Sequence, residues 1–319
     1  VIKAALLGAS RIAPKAFITP AKERGDIQIV AVGCRDAGKG QEYIRHNELG
    51  DAVCAGYEAV CSDPAIEAVY CALPPSAHLE WVSLALENGK AVLCEKPFSM
   101  TAAQAKQMAD VSRKTGALLT EGYHYCFHAA FKFVEAQLSE GAIGDIVSFR
   151  GEFSHAIPNR PGELRYIKAL GGGALMDLGC YPLHAFRQLI GEPDIKSAAQ
   201  VITGDVDSAM TAQLACGPVS GEIICDMGPD ASGQVRLDIT GTNGRVSYDG
   251  FVAPQTGHKI TVQRGDAVTE HAIDGLSTYR AQLDAFADAL RGEGRTLPPS
   301  DAILQMQAID KIYAAADIK

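Results

Sequence analysis

Glu95-Lys96-Pro97 directly follows the apolar run Ala91-Val92-Leu93-Cys94, and a stretch of helical periodicity from Ala77 to Asn88 precedes that run. The run reads as a buried parallel strand. The charged pair therefore sits at the C-terminal end of a strand, the edge at which open α/β sheets bind ligands. A lysine there is costly to bury without a partner or a task, and a proline after it raises the chance of a cis peptide. The plain alternative is a surface ion pair in a loop. A second constellation lies downstream. Gly171-Gly172-Gly173 opens a helical pattern, Gly173 to Leu189, in which Asp177 and Tyr181 stand four residues apart on one face. The glycines let that helix start very close to another backbone or a ligand. Asp177 also reads as a carboxylate favoured by the helix dipole, and Tyr181 as a half-buried core tyrosine.

These groups need elements to position them, and the N-terminus supplies the first. Ile2 to Leu7 forms a strand pattern, then come Gly8-Ala9-Ser10-Arg11-Ile12-Ala13 and a helical pattern. This is the dinucleotide fingerprint G-x-G-x-x-G/A with Ser10 in the second glycine position. Gly8 permits the tight turn, Ser10 is small enough for a pyrophosphate to approach, and Ala13 lets helix and strand pack closely. The phosphates would rest on the helix N-terminus, where free N–H groups and the dipole favour anions.

Together with the Leu73-Pro74-Pro75 turn, the Glu95-Lys96-Pro97 turn and the run from Gly171 to Tyr181, this fingerprint resembles the Gfo/Idh/MocA oxidoreductase family over essentially the whole chain. Many relatives carry histidine four residues after the aspartate. Tyr181 stands there in this chain, which looks like the branch of dimeric dihydrodiol dehydrogenase, glucose–fructose oxidoreductase and some xylose dehydrogenases. The resemblance implies a catalytic Lys96–Asp177–Tyr181 constellation around a nicotinamide. Tyr181 would accept or donate the proton. Lys96 would polarise the substrate oxygen, hold the cofactor ribose and favour the phenolate. Asp177 would orient substrate hydroxyls. Gly8, Ser10, Arg11, Ile12, Cys34, Arg35, Leu73, Pro74, His78, Glu95 and Lys96 would line the cofactor, and Tyr123, His124, Arg165 and His184 the substrate. Alternatives stay open for several of these. His78 borders the nicotinamide or is a surface histidine, Glu95 faces the cofactor or pairs with a base, Arg165 caps the pocket or is a solvated charge, and His184 contacts substrate or faces the core. Many relatives have arginine where this chain has Cys126, which puts the role of that loop in question.

The second strand ends Gly33-Cys34-Arg35-Asp36. NAD-preferring Rossmann proteins place an acidic side chain at that strand end. Cys34 cannot serve so, whereas the Arg35 guanidinium can pair with a 2′-phosphate. The expectation is NADP, with NAD as the alternative. Asp36 either turns inward to a ribose or caps the next helix, and we favour the cap.

The 319 residues suffice for two domains. Lys+Arg 29 against Asp+Glu 38 gives a net charge of −9, which speaks against nucleic acid or an anionic membrane as partner. No apolar run approaches the roughly 20 residues that span a bilayer. The chain opens on a strand rather than a signal peptide. Nine cysteines are scattered without a C-x-x-C pair, which suggests reduced thiols, a cytoplasmic enzyme and no metal.

Near-continuous apolar strands at 2–7, 27–33, 52–55, 67–73, 90–94 and 117–121 alternate with helical patterns, the last from Thr101 to Thr115. The spacing predicts an α/β, doubly wound Rossmann domain over 1–122. A linking helix is expected near 128–140. Residues 146–153, 195–203, 208–215, 219–227, 234–241, 244–248, 259–264 and 267–273 read as strands, with Thr242-Asn243-Gly244 as a hairpin turn. This predicts an α+β substrate-binding and oligomerisation domain over 123–319 with an open, mostly antiparallel sheet. Its terminal helices, within 278–316, could pack back on the first domain. The family resemblance implies a homodimer or homotetramer formed through the open sheet face. The expected function is an oxidoreductase acting on the CH–OH carbon of a sugar, cyclic polyol or dihydrodiol. The alternatives are a non-catalytic dinucleotide-sensing regulator of the same fold and a nicotinamide-dependent glycosidase.

Overall fold

The structure, a computed structural model, describes residues 1–316. Its contacts divide it into two units: Val1–Tyr123 with Tyr279–Ile303, and His124–Thr278 with the chain from Leu304 onward.

The first unit holds β1 (Ile2–Leu7), α1 (Thr19–Arg24), β2 (Ile27–Gly33), α2 (Ala37–His46), β3 (Val53–Ala55) and α3 (Tyr57–Ser62). It continues with β4 (Ala68–Cys71), α4 (Pro75–Glu87), β5 (Ala91–Cys94), α5 (Ala102–Thr115) and β6 (Leu119–Glu121). The strands pair in parallel in the order β3-β2-β1-β4-β5-β6, the doubly wound arrangement. β4 and β5 are buried at every position, which is why their sequences run apolar without alternation. Thr101 caps α5 by accepting from the Gln104 N–H at 3.3 Å. The helix after the fingerprint is less regular than its periodicity predicts. It begins with a π-type turn, Pro14–Ile18, before α1. Pro20 has no N–H to offer the Ala16 carbonyl four residues back, so a regular α ladder is interrupted there.

The second unit holds α6 (Ala129–Ser139), β7 (Ile146–Ser154), α7 (Cys180–Leu189), β8 (Asp194–Thr203), β9 (Val206–Cys216) and β10 (Val219–Asp226). Then follow β11 (Val235–Gly241), β12 (Gly244–Asp249), β13 (Lys259–Arg264) and β14 (Ala267–His271). The sheet order is β14-β13-β12-β11-β7-β10-β9-β8, antiparallel except for the parallel pair β7/β10. Thr242-Asn243 forms the hairpin between β11 and β12, as the sequence predicts. α7 lies on one face of this sheet at close range. A β-carbon on Gly151 would stand 2.7 Å from Pro182, and one on Gly221 would stand 2.5 Å from the Phe186 ring. On β7, β9 and β10 the neighbours Arg150, Gln213 and Glu222 lie side by side and bear a solvated polar network.

α8 (Thr278–Leu290) returns the chain to the first unit. Tyr279, Leu283, Phe286 and Ala287 join the core formed by Ala13, Phe17 and Tyr70. The Arg24 guanidinium bonds Asp284 and Asp288 at 2.6 and 2.9 Å. α9 (Pro299–Ala316) closes the described chain, and the division between the units falls within it.

The glycine triplet before α7 works by close approach. A β-carbon on Gly172 would stand 2.6 Å from the Arg165 carbonyl oxygen. Gly173 has φ of 130°, and a β-carbon on it would collide with the Asp207 carboxylate and come within 2.9 Å of the Tyr313 hydroxyl. Asp207 is the anchor. Its carboxylate accepts from the Leu175 N–H at 2.7 Å and from the Tyr313 hydroxyl at 2.9 Å. A π-type turn, Leu175–Gly179, then leads into α7. Burial holds the Asp207 carboxyl above the usual aspartate range, against the opposing pull of the Leu175 N–H.

Asp207→Ala leaves that N–H and the Tyr313 hydroxyl without their acceptor, so unfolding in urea should show a loss of about 1–3 kcal/mol. The raised folded-state pKa sets the sign of the pH effect. The native state binds the Asp207 proton more tightly than the unfolded chain. The stability linked to this group is complete below about pH 4 and declines as pH rises through the folded value. The stability advantage of wild type over Asp207→Asn should shrink across that window. An advantage that grows with pH would contradict this account.

Candidate active site

At the dinucleotide end, Gly8 has φ of 98°, a conformation that glycine adopts without steric cost. A β-carbon there would stand 3.0 Å from the Leu73 side chain and 3.3 Å from the Ala72 carbonyl oxygen. Ser10 does more than stay small. Its Oγ accepts from the Ala13 N–H at 3.2 Å, and its carbonyl accepts from the Tyr43 hydroxyl of α2 at 2.9 Å. Arg11 is exposed, and the Ile12 carbonyl starts the helical ladder by accepting from Ala16 at 2.9 Å. Cys34 is half-buried, and its N–H donates to Ala55 at 2.9 Å. Arg35 is exposed beside Tyr57; burial raises the Tyr57 phenol and Arg35 opposes that shift. Asp36 caps α2, with its carboxylate accepting from the Lys39 N–H at 3.0 Å. Of the two readings of Asp36, the structure thus selects the cap. A guanidinium without a free neighbouring carboxylate at the strand end fits a dinucleotide that carries a 2′-phosphate.

The turn after β5 is held from three sides. Lys96–Pro97 is cis. The Phe98 N–H donates to Glu121 Oε1 at 2.9 Å, and the Glu95 carboxylate accepts from the Tyr70 hydroxyl at 2.6 Å. Lys96 is half-buried. His78, on the first turn of α4, is not a surface residue. It is fully buried, with Nε2 2.8 Å from the Leu73 carbonyl and Nδ1 3.1 Å from the Phe98 carbonyl. It thereby ties the Leu73-Pro74 turn to the Lys96-Pro97-Phe98 turn. Burial lowers its pKa against these carbonyls. Cys71, His78 and Cys94 bring metal-type donor atoms within 4.8 Å of one another, yet both ring nitrogens of His78 already face carbonyls.

In the second unit, Asp177 and Tyr181 lie one turn apart, at the start of the helix anchored by Asp207. Arg165 Nε donates to Asp177 Oδ2 at 2.5 Å, and Arg165 NH1 donates to the buried Glu163 at 2.9 Å. Arg165 is therefore neither a solvated loop charge nor free of structure. It clamps Asp177, and Asp177 and Glu163 raise its pKa even though burial acts the other way. The Tyr181 ring, 5% exposed, packs against Tyr125 and Phe153. Its hydroxyl lies 3.2 Å from His124 Nε2. The other two histidine and tyrosine positions expected at the substrate, Tyr123 and His184, are fully buried. His184 Nδ1 holds the Tyr125 hydroxyl at 2.7 Å. Cys126 is buried in the same turn as His124 and Tyr125. Asp207, Glu163 and Thr278 carry no sequence signal of their own. Each is an isolated polar residue with no motif around it, and only its tertiary partner gives it meaning.

The second unit thus holds a phenol beside an imidazole and a carboxylate clamped by an arginine, and the first holds a strand-end lysine and a glycine-led strand-to-helix turn. The family model described as "Oxidoreductase family, NAD-binding Rossmann fold" for Gfo/Idh/MocA matches residues 2–123, and the Gfo/Idh/MocA C-terminal domain matches residues 131–247. The chain is 30% identical to D-xylose 1-dehydrogenase (NADP(+)) 2 of Haloferax volcanii, covering 98% of this chain and 96% of that one. It is 31% identical to the dTDP-3,4-didehydro-2,6-dideoxy-alpha-D-glucose 3-reductase of Streptomyces violaceoruber, covering 85% and 83%. Its fold matches a crystal structure of a 3-ketoreductase from Actinomadura kijaniata in complex with NADP and TDP-benzene, with a TM-score of 0.89, 25% identity, and 98% and 97% of the two chains covered. The chain thus belongs to the Gfo/Idh/MocA family and is a nicotinamide-dependent oxidoreductase.

Proposed function

We propose that this chain is an NADP(H)-dependent enzyme that interconverts hydroxyl and carbonyl at a carbon of a sugar, cyclic polyol or dihydrodiol. The observation that carries the reading is the Tyr181 hydroxyl, held at a hydrogen-bonding nitrogen one turn from an aspartate clamped by Arg165. The full-length likeness to a xylose dehydrogenase that uses NADP+ supports a sugar substrate. A nicotinamide bound at the first unit would supply the hydride acceptor or donor. Tyr181 takes the hydroxyl proton in oxidation and returns it in reduction. Lys96 polarises the substrate oxygen. Asp177, fixed by Arg165, accepts hydrogen bonds from neighbouring substrate hydroxyls. A dinucleotide sensor would need no proton-carrying group, and a nicotinamide-dependent glycosidase would release aglycone without net cofactor reduction.

Tyr181→Phe should lower kcat by roughly 10²–10⁴-fold, the usual worth of general acid–base catalysis, while NADPH binding measured by fluorescence stays close to wild type. Near-normal turnover on pentoses, hexoses, inositols and dihydrodiols would mean that another group moves the proton.

Arg35 sets the cofactor choice. Wild type should prefer NADP+ to NAD+ in kcat/KM, and Arg35→Ala should lose most of that preference by weakening NADP+, because a guanidinium–phosphate pair is removed. A mutant that keeps its NADP+ preference would exclude Arg35 as the discriminator.

We further propose that the protein is a homodimer or homotetramer of cytoplasmic location, assembled through the sheet face opposite α7. The support is the open polar face on β7, β9 and β10 and the exposed Val201 of β8, which shares that face through its pairing with Ala209. Among the described residues no helix is long and apolar enough to cross a membrane. Light scattering should give two or four times the chain mass; a monomer at micromolar concentration would refute the assembly.

A further inference from the structure

Tyr181, His124 and Thr278 form one hydrogen-bonded chain in the second unit. The Tyr181 hydroxyl is 3.2 Å from His124 Nε2, and His124 Nδ1 is 2.8 Å from Thr278 Oγ1. His124 is 1% exposed and Thr278 is 0%. A neutral imidazole with a hydroxyl at each nitrogen must donate at one and accept at the other. If Thr278 Oγ1 accepts from Nδ1–H, the Nε2 lone pair points at the Tyr181 O–H. A proton acceptor oriented by a third group is the arrangement that activates hydroxyls elsewhere in enzyme chemistry. Titratable groups near the chain in this unit include Cys126 of the same turn, Tyr125, whose hydroxyl meets His184 Nδ1, and Asp177, whose carboxylate meets Arg165, which in turn meets Glu163. Phe153 supplies an apolar wall to Tyr181.

We propose that His124 is the proton reservoir behind Tyr181 and that Thr278 positions it. This rests on the reading of Tyr181 as the acid–base group. In alcohol oxidation the substrate O–H bond breaks and its proton forms a bond to the Tyr181 oxygen. The phenolic proton of Tyr181 moves to His124 Nε2 in the same event. The electron pair of the broken C–H bond leaves as a hydride, which a bound nicotinamide would accept. The resulting imidazolium keeps its Nδ1–H on Thr278. Reduction runs the same transfers backwards. The gain is one of pH range. A free phenol ionises near pH 10 and an imidazole takes a proton near pH 6.5, so the relay makes the base competent close to neutrality. His124 then acts through Tyr181 and is not the substrate contact that the sequence suggests.

The test compares His124→Gln, Thr278→Val and Tyr181→Phe. The glutamine carbonyl can accept from the Tyr181 hydroxyl but cannot take its proton. His124→Gln should keep NADPH binding and KM, lose roughly 10²-fold in kcat, and move the acid limb of alcohol oxidation up by about one pH unit or more. A merely structural histidine would be rescued by glutamine and leave the limb in place. Thr278→Val should shift the limb in the same direction by less. A readout without cofactor comes from imidazole ¹⁵N shifts. They should show His124 as the Nδ1–H tautomer in wild type and a tautomer mixture in Thr278→Val. An Nε2–H tautomer in wild type, or a wild-type pH limb in His124→Gln, would overturn the proposal. Should His124→Gln not fold, the Thr278→Val limb and the ¹⁵N tautomer decide alone. Loss of turnover in Tyr181→Phe with a wild-type His124→Gln enzyme would sink the relay and leave the acid–base reading intact. Near-normal Tyr181→Phe turnover would sink both.

Discussion

A buried carboxylate, Asp207, fixes the start of the helix that carries Asp177 and Tyr181. It accepts from the backbone N–H of Leu175, so one orphan donor at the start of the helix is satisfied inside the protein rather than by water. Tyr313 satisfies its other oxygen. The carboxylate can sit so close because Gly173 has no side chain in the way. The Gly173 N–H in turn donates to the Arg165 carbonyl at 2.9 Å, and Gly172 lies against the same peptide. Arg165 is thus registered to the helix through its backbone before its guanidinium reaches Asp177. Two polar side chains, Asp177 and Tyr181, inherit their positions from one buried interaction.

The first unit solves the same problem with different parts. Its sheet is covered on both faces, so the polar groups gather at the C-terminal strand ends. There each must find a partner or meet a ligand. Glu95 is taken by Tyr70, the Phe98 N–H by Glu121, and the His78 ring bridges two turns. Those bonds immobilise the backbone on both sides of Lys96. α8, recruited through Arg24 and the apolar face of Tyr279, Leu283 and Phe286, covers the helix that follows the fingerprint. An element distant in sequence therefore supports the glycine-led turn after β1.

Several histidines show how burial redirects chemistry. His78, His124 and His184 are all shielded from water, and each has a specific polar partner. An imidazole in such a place costs stability unless both nitrogens are satisfied. His78 meets this with the Leu73 carbonyl 2.8 Å from Nε2 and the Cys94 thiol 3.4 Å from Nδ1, and so serves structure. His124 meets it with two hydroxyls, one of which belongs to Tyr181, and a hydroxyl can exchange protons where a carbonyl cannot.

The sequence by itself determined the fold class of both sheets, most strand and helix spans to within a few residues, and the motifs on which the family resemblance rests. Apolar runs such as Ala91–Cys94 are dictated by burial on both faces, and the β-branched alternation after Gly144 is dictated by burial on one. Asp36 was legible as a cap because capping is a local interaction with the next turn. The tertiary structure alone decided the rest. Asp207 lies far from Leu175 along the chain, and Thr278 far from His124, so no local pattern marks either pair. The parallel pairing of β7 with β10, inside a sheet otherwise antiparallel, is likewise invisible in side-chain alternation, which has the same period in both arrangements. Local periodicity reports which face of an element is buried. Which polar groups meet inside is settled only when distant segments pack.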